Sequence, residues 1–232
     1  MGESSGPTGY VQEARESHEH APRYRSWVGP PEVYDRVAAM QFNILTSIGL
    51  REHHFLLDIG CGSLRAGRLL IPYLLPGRYY GIEPEQSVLR EGIENELGRD
   101  AIRIKRPTFS YDDRFRLSVF GRDFDVIVAH SIFTHAAVGQ IRTCLAEAKS
   151  VLRDDGTMVA TFIARPHDYE GSGWTRGVAG YRPKSMIAMI GEAGLDVAPL
   201  DWPHPNERQR WLLIRHDGAA EVAGRLTPPR AV

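Results

Sequence analysis

The sequence predicts an α/β fold: a mostly parallel, seven-stranded sheet with helices on both faces and an antiparallel final strand. Three observations carry this. Short apolar runs alternate with amphipathic stretches along the chain, as in sheets whose strands are joined by crossover helices. Runs such as Phe124-Asp-Val-Ile-Val-Ala129 are almost continuously apolar, as strands buried on both faces must be. The last two runs flank a short turn at Pro203-His-Pro205, which suits an antiparallel pair.

The elements follow in order. Pro30 and Pro31 open a helix, and Val33, Val37, Met40, Ile44 and Ile48 form its apolar stripe. Gly49 stops it. A first strand over 54–59 ends in glycines. A helix over 65–75 closes at Pro76-Gly77, and a second strand covers 78–83. Pro84 starts a helix that runs to Leu97, before Gly98. Residues 102–105 read as a weaker third strand, and 124–129 as a strong fourth. A helix over 136–152 carries Ile141, Leu145, Ala148 and Leu152 on one face. Asp154-Asp-Gly156 turns the chain into a fifth strand over 157–164. A loop rich in glycine and aromatics (165–181), a helix (184–193) and two strands (195–200 and 211–214) complete the domain, with Trp202 and Trp211 packed in the last strands. One domain therefore spans 30–216, between a segment at 1–29 that reads as flexible, or as ordered only as a lid over a site, and a flexible tail at 217–232. His18 and His20 read as solvated tail histidines, because no Cys or carboxylate cluster completes a metal site.

Composition narrows the partners. The 232 residues are 42% hydrophobic, enough for a core, and carry a formal net charge of −1. A protein that binds the phosphate backbone needs clustered Lys and Arg, so no nucleic-acid partner is expected. Cys61 and Cys144 build no disulfide framework, and a reducing compartment is the simpler reading. The polar first twenty residues lack a signal core, and no apolar run spans a bilayer. A soluble cytoplasmic protein without a membrane partner is expected.

The segment Leu56-Leu-Asp-Ile-Gly-Cys-Gly-Ser-Leu-Arg-Ala-Gly67 carries the most chemistry. Gly60 and Gly62 permit a tight turn between strand and helix. Ligands of open α/β sheets bind at the carboxyl ends of strands, over such turns. Glu83 ends the next strand, placed to accept hydrogen bonds from both hydroxyls of a ribose. A nucleoside-containing cofactor is implied. A dinucleotide fingerprint requires a glycine where Arg65 stands, and Asp58 is a poor neighbour for a diphosphate. Asp58 suits the ammonium of a methionine moiety.

Here the sequence resembles the class I S-adenosylmethionine-dependent methyltransferases, which have a Rossmann-like fold. Leu-Asp-Ile-Gly-Cys-Gly62 is similar to the first motif of that family, and Gly81-Ile-Glu-Pro84 to the second. Phe124 to His130 resembles the fourth-strand motif, and Leu152-Arg-Asp-Asp-Gly-Thr157 the turn before strand five. The resemblance covers about residues 54–164. It implies S-adenosylmethionine as cofactor and Glu83 as the ribose ligand. It also implies a polar residue near the adenine after strand three, with Asp112 the best placed and Asp113 the fallback. Cys61 is then only a small side chain in a tight turn. One departure stands out: the family's frequent third glycine is Leu64 here. Arg65 instead puts a cation at the helix start, where it suits the methionine carboxylate or serves as a surface arginine.

Methyl transfer needs alignment, exclusion of water and sometimes a base. His130 and His135 follow strand four, at the edge facing the methyl group. His130 is expected to line the pocket near the sulfonium, and His135 to act as base, since imidazole titrates near neutrality. The remaining histidines, His204 and His216 among them, read as surface groups. No clustered Asp and Asn follow strand four, so no metal is expected. Loop 165–181, with Tyr169, Trp174, Arg176 and Tyr181, reads as an acceptor lid. The expected activity is methyl transfer to an oxygen or nitrogen of a small molecule, a metabolite or natural-product intermediate. The competing readings are an NAD(P)-dependent oxidoreductase and a non-catalytic scaffold of the same fold.

Overall fold

The structure is a computed structural model that describes residues 23–227. Most of the 1–29 segment, with His18 and His20, lies outside the described residues. A short helix α1 (Arg23–Trp27) precedes a 3₁₀ turn at Pro31–Val33 and helix α2 (Tyr34–Ser47). There follow β1 (Leu56–Ile59), α3 (Gly67–Tyr73), β2 (Tyr79–Ile82), α4 (Gln86–Gly92) with a π turn over Ile93–Leu97, α5 (Arg99–Lys105) and β3 (Thr108–Ser110). Then come β4 (Phe124–Ala129), α6 (Val138–Val151), β5 (Leu152–Ala164), β6 (Gly180–Tyr181), α7 (Pro183–Glu192), β7 (Asp196–Leu200), β8 (Gln209–Arg215) and α8 (Ala219–Gly224).

The sheet order is β3-β2-β1-β4-β5-β8-β7, parallel except for β8, which runs antiparallel to both β5 and β7. The final strand is antiparallel as expected, but it lies inside the sheet and β7 is the edge. The eighth strand, β6, is only two residues long; it extends the sheet along the end of β5, where Ile163 faces Gly180. The register sets Asp58 of β1 beside Gly81 of β2 and Val128 of β4. The polar end of β1 is thus hemmed in by strands on both sides.

Continuous apolar strands do bury both faces. Leu57, Ile59, Ile127 and Ala129 pack against α6 and α7, while Leu56, Val126, Val128 and Val159 pack against α2, α3 and α8. Alternate residues of one strand feed opposite cores, which is why these runs are not amphipathic. The expected stripe of α2 is only partly the buried one: Val37 and Ile44 are buried, joined by Tyr34, Ala38, Gln41 and Leu45.

The third strand is a correction. Residues 102–105 belong to α5, and the strand is Thr108–Ser110. Ile-Arg-Ile-Lys alternates like a strand, but Asp100 lies in the first turn and Arg103 and Lys105 in the last. These charges complement a helix dipole. Lys105 also donates to the carbonyls of Pro72 and Leu74 at the end of α3, at 2.6 and 2.8 Å. Strand five starts early, at Leu152, and the Asp154–Gly156 turn becomes an irregularity within it: Phe124 faces Leu152 and Val126 faces Thr157. Beyond β8, residues 219–224 form α8, with Ala219 buried and its N–H given to Asp196 at 2.8 Å.

The close fit of α4 under the β1 turn gives a test. A Cβ on Gly92 would lie 2.3 Å from the Ser63 carbonyl oxygen. Helix propensity alone favours Gly92→Ala by ~1 kcal/mol. We expect destabilisation instead, by about 1–3 kcal/mol, seen as a lower Tm in thermal denaturation. A raised Tm would show that the turn has room to move.

Candidate active site

The turn after β1 is built by its neighbours. Gly60 and Cys61 donate their N–H groups to the Ile82 carbonyl at the end of β2, at 2.8 and 3.0 Å. Gly60 (φ +69°) and Gly62 (φ +56°) take left-handed backbone, where glycine costs least. Neither has space for a side chain: a Cβ would sit 2.2 Å from Ile132 Cδ1 at Gly60 and 2.4 Å from Val28 Cγ1 at Gly62. Leu64, where the resembled family often has a third glycine, also has positive φ (+60°). That conformation costs leucine roughly 1–2 kcal/mol. Its side chain is fully buried in the apolar cluster beside α2 and α3, and this packing holds it there.

Three ionisable groups converge on this turn. Glu83 accepts from the Gly62 N–H (3.0 Å) through Oε2 and from the Glu85 N–H (2.8 Å) through Oε1. A carboxylate offers about four acceptor positions, so each oxygen keeps one more. Burial raises its pKa, opposed by those two N–H groups. Asp58 is buried on the α3 side and accepts from the Tyr79 hydroxyl at 2.7 Å. Burial pushes its pKa up to about 6. Arg65 is buried as well, and desolvation lowers its pKa to about 10. Its Nη1 donates to the Val28 carbonyl and its Nη2 lies 3.1 Å from His130 Nδ1. Its buried Nε has no hydrogen-bond partner among the described residues. Arg65 is therefore no surface arginine.

His130 ends β4 beside this group, with its Nε2 3.1 Å from His204 Nε2. Trp211 packs against both rings. Behind it, Ser131 (φ +61°) donates its N–H to Thr161 Oγ1 at 2.7 Å, and the Gln209 amide donates to the hydroxyls of both residues. Reading His204 as a surface group is corrected: it is half-buried and stacked on His130. His216, also read as a surface group, has Nε2 3.0 Å from the Leu152 carbonyl oxygen.

Asp112 lies on the same sheet edge, two residues past Ser110, whose carbonyl accepts from the Glu83 N–H at 3.0 Å. Its carboxylate already accepts from the N–H groups of Arg114 and Arg116 and from Arg116 Nε at 2.6 Å. It shapes the loop first. Asp113 is exposed. His135 stands apart from the β1 turn. Its Nδ1 faces the carbonyls of Gly177 (2.8 Å) and Thr175 (3.1 Å), so that nitrogen carries the proton and Nε2 holds a lone pair. The ring packs on Trp174, 5.5 Å between centroids. Burial raises the Cys61 thiol well above its ordinary range, leaving it protonated.

Of the two readings of the 1–29 segment, flexible or a lid over a site, its described part, residues 23–29, lies over the turn. Val28 covers Gly62, and Tyr34 donates to the Ser63 carbonyl at 3.2 Å. Helix α1 is tied down by Arg25, which pairs with the buried side chain of Glu96 at 2.7 Å. The aromatic residues Tyr24, Trp27 and Tyr34, flanking a Gly-Pro-Pro break, were the available signal. No group of three His, Cys, Asp or Glu among the described residues is placed to hold a metal ion. No helix among them is long and apolar enough to cross a membrane.

Asp58 gives a signed prediction. A carboxyl whose folded pKa is raised stabilises the fold below the ordinary carboxylate range, and this is lost as pH rises through about 6. Asp58→Asn should therefore stabilise the cofactor-free protein by on the order of 2 kcal/mol at pH 8 and little at pH 4. Denaturant unfolding at both values checks this; an equal effect at the two would contradict it.

Comparison with known proteins agrees with this geometry. A family model described as "Methyltransferase domain" matches residues 57–158, from the middle of β1 to β5. The glycopeptide N-methyltransferase MtfA, solved with S-adenosyl-L-methionine, is similar in structure: TM-score 0.61 and 13% identity, covering 78% of this chain and 94% of that one. So is the magnesium protoporphyrin IX methyltransferase of Synechocystis PCC 6803, also with the cofactor bound: TM-score 0.61, 15% identity, 93% and 100% coverage. The CcbJ methyltransferase of Streptomyces caelestis aligns with TM-score 0.60 at 15% identity, over 88% and 96%. The chain has the Rossmann-like fold of these S-adenosylmethionine-dependent methyltransferases, and its residues 57–158 match the methyltransferase-domain model.

Proposed function

We propose that this protein binds S-adenosylmethionine over the β1 turn and methylates an oxygen or nitrogen of a small molecule in the cytoplasm. The observation that carries the reading is the paired arrangement of Glu83 and Arg65. Glu83 keeps one acceptor position on each oxygen, beside two glycines with no side-chain room. Arg65 keeps a buried donor without a partner among the described residues. A ribose diol fits the first and an amino-acid carboxylate the second. Asp58, buried within the same turn, takes the ammonium group. Gly60 and Gly62 let the backbone approach, and Asp112 closes the adenine end by holding the loop after β3. The cofactor supplies an activated methyl group on a sulfonium.

The residues past β4 serve the acceptor. His130 lines the pocket near the reacting centre. His135 is the base: what supports it is the fixed tautomer, with Nδ1–H held by loop carbonyls and the Nε2 lone pair unclaimed. The same bonds anchor loop 165–181, whose Trp174 is half exposed and suits a lid over an organic acceptor. The nearly neutral net charge offers nothing to a polyanionic acceptor. Similar folds whose names include a glycopeptide or a porphyrin substrate fit a metabolite or natural-product acceptor. Two unpaired, buried cysteines fit a reducing compartment.

Calorimetric titration with S-adenosylhomocysteine should give micromolar binding, with none for NAD or NADP. Dinucleotide binding instead would overturn the reading. Glu83→Ala should weaken that binding by about 10–100-fold, since hydrogen bonds to charged groups are worth about 1.5–3 kcal/mol; unchanged affinity would remove Glu83 from the ribose. With the acceptor in hand, His135→Ala should lower kcat by about 10²–10⁴-fold while leaving S-adenosylhomocysteine affinity near wild type. Full activity across pH would exclude it as the base.

A further inference from the structure

His204 has no part in the chemistry above, yet it stands at the end of a hydrogen-bonded chain that begins at Arg65. Arg65 Nη2 lies 3.1 Å from His130 Nδ1, and His130 Nε2 lies 3.1 Å from His204 Nε2. The other nitrogen of His204, Nδ1, faces both the carbonyl oxygen (3.2 Å) and the amide nitrogen (2.9 Å) of Asn206. The first bond sets the direction at His130. A guanidinium donates and never accepts, so His130 Nδ1 must be an acceptor. Burial and the neighbouring cation keep His130 neutral, and its one ring proton is then on Nε2. That N–H needs an acceptor, which only the unprotonated Nε2 of His204 supplies among the described residues. His204, held neutral by burial with its pKa pushed down to about 4, carries its proton on Nδ1 and donates it to the Asn206 carbonyl. The Asn206 N–H points at His204 Nδ1 at 2.9 Å and Ser131 Oγ lies 3.2 Å from His130 Nδ1, and both favour the reversed chain; the guanidinium, a donor only, opposes it and sets the Nε2–H tautomer of His130.

We propose that His204 is a positioning residue: it locks His130 in the Nε2–H tautomer at the end of β4 and thereby couples the cofactor turn at Arg65 to the loop between β7 and β8. This rests on the reading of Arg65 as the ligand of the cofactor carboxylate. The coupling reaches the acceptor side. The β7–β8 loop walls a cleft of about 380 Å³ lined by Trp202, Pro203, His204, Glu207, Gln209 and Trp211, at the carboxyl edge beside His130. Aromatic walls with a few polar groups suit a small organic acceptor. A cofactor carboxylate drawn to Arg65 changes the charge felt at His130 Nδ1, and the chain carries that change to the cleft wall.

The test is nuclear magnetic resonance on full-length protein labelled with ¹⁵N-histidine, comparing wild type with His204→Leu and His204→Gln. In wild type, His130 should be the Nε2–H tautomer, and saturating S-adenosylhomocysteine should shift the His204 ring nitrogens. In His204→Leu, His130 should average over both tautomers. His204→Gln offers an amide oxygen to the same N–H and should restore the single tautomer. A wild-type His130 protonated on Nδ1, or a tautomer unmoved by His204→Leu, overturns the positioning role. Binding of S-adenosylhomocysteine without a shift at His204 overturns the coupling. If S-adenosylhomocysteine does not bind at all, the Arg65 reading fails while the tautomer result still decides the role of His204. Should His204→Leu fail to fold, the wild-type tautomer and the Gln variant decide between the outcomes.

Discussion

The hydrogen bond from the Gly62 N–H to the Glu83 carboxylate ties the cofactor turn to the neighbouring strand, and the surrounding structure depends on that tie. The turn is held from several sides. The Ile82 carbonyl takes two of its N–H groups, Tyr34 reaches the Ser63 carbonyl from α2, Gly92 of α4 presses on the same carbonyl, and Val28 covers Gly62. None of these contacts leaves room for a side chain at Gly60 or Gly62. Even Leu64, with the backbone of a glycine, is kept there by burial in the apolar cluster. A turn fixed in this way holds the Glu83 carboxylate in a set geometry before any ligand arrives, which lowers the ordering cost of binding.

Charge explains why such a turn is worth its strain. Asp58, Glu83 and Arg65 are all buried at one sheet edge, and none forms a close ion pair with another. Burial raises the two carboxyls and lowers the guanidinium. Each is moved toward its neutral form, which is what an uncompensated buried charge does. A ligand that brings an ammonium, a diol and a carboxylate would compensate all three at once. The amino-acid end and the ribose of S-adenosylmethionine have those groups at opposite ends of a short chain.

Much of this was legible in the sequence because it depended on local pattern. The apolar runs marked β1, β2, β4 and β5, and Gly60, Gly62 and Glu83 marked the turn and its acid, since spacing along one βαβ unit converts directly into neighbouring strand ends. The third strand was lost because Ile102 to Lys105 alternate over too short a stretch, and helix-end charges outweighed the alternation. His204 and Gln209 were invisible for a different reason. They reach His130, Ser131 and Thr161 only because β8 inserts beside β5, a long-range pairing that no local window contains. What ties the α1 strap down was hidden likewise: Arg25 and Glu96 are 71 positions apart. Arg65 was placed correctly at the turn, but its burial under Val28 depended on the strap.

We propose that the cofactor sits over the turn from Gly60 to Arg65, against Glu83. Hydrogen–deuterium exchange with and without saturating S-adenosylhomocysteine tests it most directly. Slower exchange confined to amides 60–65 and 83–85, with the β7–β8 loop following and the amino edge of the sheet unchanged, is the predicted result. Protection at another edge of the sheet, or none in the turn while the ligand is bound, would contradict it.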